Sequence, residues 1–129
     1  MQIFEQTISV VQDDLDDLDH VNNVRYVQWI QDIAKAHWQK RVPVNIQDSY
    51  YWVVLEHHIH YKQSAILDNE IIIKTYVTKA EGVTSTRVVE MHDKDSGKLI
   101  VKAETVWCLL SRQTHRPVRI TQEIAAIFN

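Results

Sequence analysis

Residues Asp13 to Trp38 set the strongest constraint on how this chain can fold. The stretch opens as an acidic turn, Asp13-Asp14-Leu15-Asp16-Asp17-Leu18-Asp19-His20, and passes through Val21-Asn22-Asn23 into the only long helical pattern in the sequence. Five carboxylates within seven residues repel one another, so they destabilise the chain unless they are solvated or paired. Tyr26, Val27, Trp29, Ile30, Ile33, Ala34 and Trp38 follow and leave little of a helix surface polar. Such a helix is expected to be buried on most sides, with a charged turn fixed at its N-terminus. That junction is the first candidate for an active site.

The helix has readable ends. Asn22 can act as its N-cap, accepting a bond from a helix N–H that has no intrahelical partner. The pattern runs to about Arg41, where Lys40 and Arg41 suit the negative end of the helix dipole and Pro43 prevents continuation. Before the acidic turn, Ile3 to Val11 alternates with period two and reads as a strand. After the helix nearly everything is strand: Tyr50 to Lys62, Glu70 to Lys79, Val83 to His92 and Lys98 to Ser111. Asp93 to Gly97 reads as a hairpin loop, and a short terminal helix starts at about Thr121.

One strand, one long apolar helix and four further strands predict an α+β fold: a curved, antiparallel five-stranded sheet wrapped round one long central helix. Cystatin-like and NTF2-like domains begin similarly, but the latter carry more N-terminal helix than this chain supplies. At 129 residues, residues 1–129 are expected to form a single domain. A formal charge of −3 with no basic cluster argues against a nucleic-acid partner. No apolar run approaches the roughly 20 residues of a membrane span. The N-terminus has no secretory pattern, and the single Cys108 cannot form an internal disulfide, so a cytoplasmic location is expected. Gly82 and Gly97 are the only glycines, too few for a glycine-rich phosphate loop.

The run from Asp14 to Tyr26 resembles the signature of hotdog-fold thioesterases of the 4-hydroxybenzoyl-CoA thioesterase type, Asp-x-Asp-x-x-Gly-His-Val-Asn-Asn-x-x-Tyr. It is equally similar to the Asp-Leu-Asp-x-Asn-Gln-His-Val-Asn-Asn-Val-x-Tyr run of plant acyl-acyl-carrier-protein thioesterases. The likeness continues through Tyr61 to Ala65, Ser85-Thr86-Arg87 and Thr114 to Ile120. It implies a hotdog fold and hydrolysis of an acyl-CoA or acyl-carrier-protein thioester, with no metal and no organic cofactor.

Carried over by position, the resemblance makes Asp16 the catalytic carboxylate, as nucleophile or general base. Asn23 would give a backbone N–H to an oxyanion hole, and His20 matches a motif histidine beside the carboxylate. Ser85, Thr86 and Arg87 match the region that holds CoA phosphates. The family pairs two sheets edge to edge, which implies a homodimer or homotetramer. Elementary chemistry agrees with the first two roles: a helix N-terminus favours an ionised carboxylate, and its free N–H groups can meet a developing oxyanion. There are two departures. Asp19 stands where glycine is common and would have to accept a left-handed backbone, and Leu18 stands where the plant-type run has asparagine.

Other readings of these residues are plainer. The acidic turn is not an EF-hand loop, because Asp19 holds the glycine position and Arg25 the place of the final glutamate. Asp13, Asp14, Asp17 and Asp19 read as solvated or structural. Glu56, His58 and His60 share one strand face, but no further zinc ligand has a recognisable spacing, so that face reads as solvated or subunit-contacting. Cys108 reads as a buried thiol, Trp29 and Trp38 as core. Lys62, Lys79, Arg87 and Arg112 are surface charges by default. The rival functions are an acyl-CoA-binding module without turnover and a hotdog hydratase, whose Asp-x-Asn-Pro-x-His pattern is absent.

Overall fold

Strand β1 (Phe4–Ser9) leads through a 3-10 turn at Gln12–Asp14 into helix α1 (Asn23–Arg41). A six-residue helix α2 (Val44–Ser49) follows, then strands β2 (Tyr50–Tyr61), β3 (Glu70–Glu81), β4 (Thr84–Asp93) and β5 (Leu99–Ser111), and helix α3 (Gln122–Ile127). The computed structural model describes all residues from Met1 to Asn129. The strands form one antiparallel sheet in the order β1-β3-β4-β5-β2. Strands β3, β4 and β5 are a meander. Strand β2, although followed directly by β3 in sequence, crosses to the far edge and pairs with β5. This is the expected α+β hotdog arrangement, with α1 packed on the concave face. No helix is long and apolar enough to cross a membrane.

Helix α1 begins where Asn22 caps it, the side chain accepting from Val24 N–H at 3.0 Å, and Lys40 and Arg41 occupy its last turn. It is not buried on most sides. Tyr26, Ile30, Ile33, Ala34 and His37, spaced i, i+4, i+7, i+8 and i+11, form one buried stripe. Val24 and the row Gln28, Asp32, Lys35 and Gln39 stay exposed. Trp29 and Trp38 pack only partly into the core. Pro43, read from sequence as a stop, is also the N-cap residue of α2.

Two bulges set which side chains face the helix. In β2 the register shifts between Val54 and Glu56, leaving Leu55 unpaired and exposed. An extra residue turns the phase of the strand. Trp52 and Val54 share the inward phase before the bulge, His57 and Ile59 after it, so Glu56, His58 and His60 lie on the outer face. The core then divides in two. Tyr26, Ile30 and Ile33 pack with Ile71, Val89, Met91 and Val101 in the larger cluster. Val42, Ile46, Leu109, Ile124 and Phe128 form a smaller one around the other end of α1.

Candidate active site

The acidic turn is a closed structure built on Asp16. Its N–H donates to the His20 carbonyl at 2.7 Å, and Asp19 N–H donates to the Asp16 carbonyl at 3.1 Å. One carboxylate oxygen, Oδ1, accepts from the backbone N–H groups of Leu18 at 2.9 Å and His20 at 3.2 Å. The turn closes only because Asp19 adopts a left-handed backbone with φ 62°, the conformation expected of a residue in a glycine position. Asp16 is half-buried, and its second oxygen, Oδ2, has no partner in the protein. The carboxylate is thereby oriented by one oxygen and left free at the other.

Asp14 is a tie between turn and helix. It is buried, accepts Val11 N–H through Oδ2 at 2.9 Å, and pairs through Oδ1 with Arg25 Nε at 3.1 Å. Its carbonyl accepts Asn22 N–H at 2.8 Å, and Arg25 also donates to the Asp13 carbonyl at 3.1 Å. Two strands of contact therefore hold the Asp16 turn against the first turn of α1. Sequence signals for this were thin, since Asp14 and Arg25 are separated by the whole turn.

Asn23 is the first helical residue, so its N–H has no carbonyl four residues back within the helix, and no other group accepts it. The open end of α1 carries the positive end of the helix dipole. Tyr26, one turn further on, is buried and accepts Ala65 N–H at 3.1 Å. Its phenol is pushed above the usual range, first by burial and to a lesser degree by the charges of Tyr61 and Asp16, against the lowering effect of the Ala65 bond. His20 is exposed, and what it gives Asp16 is its backbone N–H; the imidazole has no hydrogen-bond partner.

Ser85, Thr86 and Arg87 do not act as one group, because strand alternation divides them between two faces of β4. Ser85 and Arg87 point inward and are buried, while the Thr86 carbonyl accepts the Thr78 hydroxyl at 3.3 Å. Arg87 is not a surface charge. Only 6% exposed, it donates through Nη1 to His37 Nδ1 at 2.8 Å and to Thr75 Oγ1 at 3.2 Å, and its guanidinium lies 5.4 Å from the Phe128 ring centre. Burial lowers its pKa to about 10, so the cation persists at neutral pH. Arg87, Thr105 and His57 are register partners across β4, β5 and β2, and His57 Nδ1 meets Thr105 Oγ1 at 2.7 Å. Together with Thr75 and His37 they form a polar belt between the two apolar clusters. Alternation held the signal for Arg87: it shares its phase with Val89 and Met91.

Next to the belt, between the C-terminal half of α1, the sheet and α3, lies a cavity of about 440 Å³. Ser85 and Arg87 are among its walls, and no residue of the Asp16 turn is. The Glu56, His58 and His60 face carries only a loose His58–Glu56 contact at 3.4 Å. Cys108 is buried.

A family model described as the acyl-ACP thioesterase N-terminal domain matches residues 1–128. No curated protein matches the chain. Solved structures share its fold. A 1,4-dihydroxy-2-naphthoyl-CoA thioesterase from Synechocystis is 12% identical, with 98% of this chain and 96% of the other covered at a TM-score of 0.84. A probable thioesterase from Escherichia coli is 19% identical over 95% and 94% of the two chains, with a TM-score of 0.81. The 12:0-ACP thioesterase from Umbellularia californica is 13% identical over 98% of this chain and 51% of its own, with a TM-score of 0.84.

Proposed function

The chain belongs to the acyl-ACP thioesterase N-terminal-domain family and is a thioester hydrolase; from that premise we propose that Asp16 is its catalytic carboxylate and the first turn of α1 its oxyanion site. The observation that carries this reading is the division of labour within Asp16: Oδ1 is fixed by two backbone N–H groups while Oδ2 is unoccupied. A carboxylate oriented in this way can act on the thioester carbonyl in either of two ways. It can take a proton from a water that attacks the carbonyl carbon, or it can attack that carbon itself and form an anhydride that water then opens. Both routes break the C–S bond, release the thiol and leave the acyl group as a carboxylate.

The carbonyl oxygen gains negative charge in either route. Asn23 N–H, unpaired at the positive end of α1, supports assigning it as the donor to that oxyanion, a contribution of ~3 kcal/mol for one well-placed donor. His20 serves in positioning, through the N–H that fixes Oδ1. No metal or organic cofactor takes part in these steps. The substrate is an acyl-CoA or an acyl-carrier protein, and the names of the neighbouring structures include both kinds. The working unit is a homodimer or a homotetramer, since β1 and β2 are left as open sheet edges. A reducing cytoplasm suits the lone cysteine.

The test is thiol release from a panel of acyl-CoAs and acyl-carrier proteins by wild type and Asp16→Asn. Asparagine keeps an oxygen for the Leu18 and His20 N–H groups, so the variant should fold. Its kcat should fall by about 10²–10⁴. A folded Asp16→Asn with undiminished kcat would refute the assignment. A wild type that binds acyl-CoA but releases no thiol from any panel member would make the chain a binding module instead.

A further inference from the structure

The cavity behind α1 is walled by hydrogen-bond donors that have nothing to donate to. Arg87 uses Nη1 on His37 and Thr75, but Nε and Nη2 have no acceptor in the protein and no carboxylate lies within ion-pair distance. Neither nitrogen is sealed away from the cavity space, whereas His37 Nε2 is. Two positions before it on the same face of β4, the buried Ser85 hydroxyl also makes no bond. Trp107, the register partner of Ser85 on β5 and another wall of the cavity, has an indole N–H without an acceptor that is sealed from the cavity space as His37 Nε2 is. A buried cation without a counter-charge is costly, and a buried donor without an acceptor costs about 1–3 kcal/mol.

The remaining walls specify what would satisfy them. Trp38, Tyr50 and Trp52 give the cavity an aromatic lining, so its occupant has an apolar body. Lys35 and Arg112 lie among the lining residues, and the one carboxylate there, Asp32, is exposed and takes a bond from Gln28 at 2.8 Å. The Nε–Nη2 edge of a guanidinium presents two parallel N–H groups spaced for the two oxygens of a carboxylate. We infer that this cavity is a binding site for an amphiphilic carboxylate, its apolar body among Trp38, Tyr50 and Trp52 and its carboxylate on the Nε–Nη2 edge of Arg87, with Ser85 as second donor. Within one chain the site shares no residue with the Asp16 turn, and its test does not depend on the role given to Asp16.

Octanoate, octan-1-ol and octylammonium have the same apolar body with negative, zero and positive charge. Binding is read by the fluorescence of the tryptophans lining the cavity, in the wild type and in Asp16→Asn so that a failure of the catalytic assignment leaves this test intact. Octanoate should bind at least about tenfold more tightly than octan-1-ol, octylammonium should not bind, and octanoate alone should raise Tm. Arg87→Met should abolish the preference for the anion, Arg87→Lys should keep part of it, and Ser85→Ala should weaken octanoate severalfold. Equal binding of octanoate and octan-1-ol by the wild type, or no octanoate binding at all, overturns the proposal even if Arg87→Met does not fold. A folded Arg87→Met that still prefers the anion overturns it as well.

Discussion

His37 makes the fold sensitive to mild acid, and the size of the effect follows from its surroundings. The imidazole is fully buried, stacked on Phe4 at 5.0 Å between ring centres and met edge-on by Phe128 at 4.8 Å. Nδ1 accepts from Arg87, so the ring must be neutral and carry its proton on Nε2. Burial, and then the positive charges of Arg87 and Arg41, lower its pKa from 6.5 to about 4. The folded state therefore binds fewer protons than the unfolded state between those two values. Stability is complete above about pH 6.5 and is lost as pH falls toward 4. At 1.36 kcal/mol per pH unit the loss from this one residue is ~2.5 kcal/mol by about pH 4.5, a large part of the 5–15 kcal/mol of an ordinary domain. His37→Asn keeps an acceptor near the Nδ1 position but cannot titrate. The measurement is urea unfolding of both proteins at about pH 7.5 and about pH 4.5. The variant should start less stable because it lacks the ring contacts, and the gap should shrink or reverse in acid by ~2.5 kcal/mol. The shifts at Glu90 and His57 are common to both proteins and cancel in the difference. A gap that stays constant within about 0.5 kcal/mol refutes the reasoning.

Asp19→Gly should raise stability by about 0.5–1 kcal/mol, because relief of a left-handed backbone on an exposed residue outweighs the added freedom of the unfolded chain. A loss of the same size in urea unfolding would show that the Asp19 side chain is needed in the turn. The open edges of β1 and β2 predict a particle of at least two chains by light scattering at micromolar concentration, and a mass near 15.2 kDa would contradict it.

What could be read from sequence was what is local. The Asn22 cap, the end of α1 at Arg41 and the terminal helix starting beside Thr121 each depend on a few neighbouring residues, and all three stand in the structure. Strand extents followed from alternation. The placement of β2 beside β5 did not, because the Gln63–Asn69 connection carries no signal for a hairpin or a crossover, and pairing is decided by faces distant in sequence. The bulge at Leu55 was hidden for a related reason: it closes a run, Trp52 to Leu55, that is apolar at every position and so shows no phase of its own to compare with Glu56 to His60. Helix α2 is only six residues long and was masked by the reading of Pro43 as a terminator. The Asp16 turn was legible because its bonds reach no further than four residues.

Arg87 shows where sequence rules conflict. Its type argues for the surface and its phase with Val89 and Met91 argues for the interior; the phase prevailed. Its partners, His37 and Thr75, lie 50 and 12 residues away, so no window of sequence displays the belt they form. Stability alone does not explain that belt. Replacing a buried ionic group with apolar residues of similar size is often neutral or stabilising, and here the cation has no counter-ion while His37 Nε2, His57 Nε2 and Trp107 Nε1 are buried without partners. The belt interrupts what would otherwise be one continuous core beneath α1. The acidic turn has the same character, with five crowded carboxylates and a left-handed aspartate. Both places give up stability that ordinary residues would have kept, and such local inconsistency in an otherwise consistent fold is expected where the chain has work to do on another molecule. At Asp16 the molecule we propose is a thioester; at Arg87 the unpaired donors call for an anion.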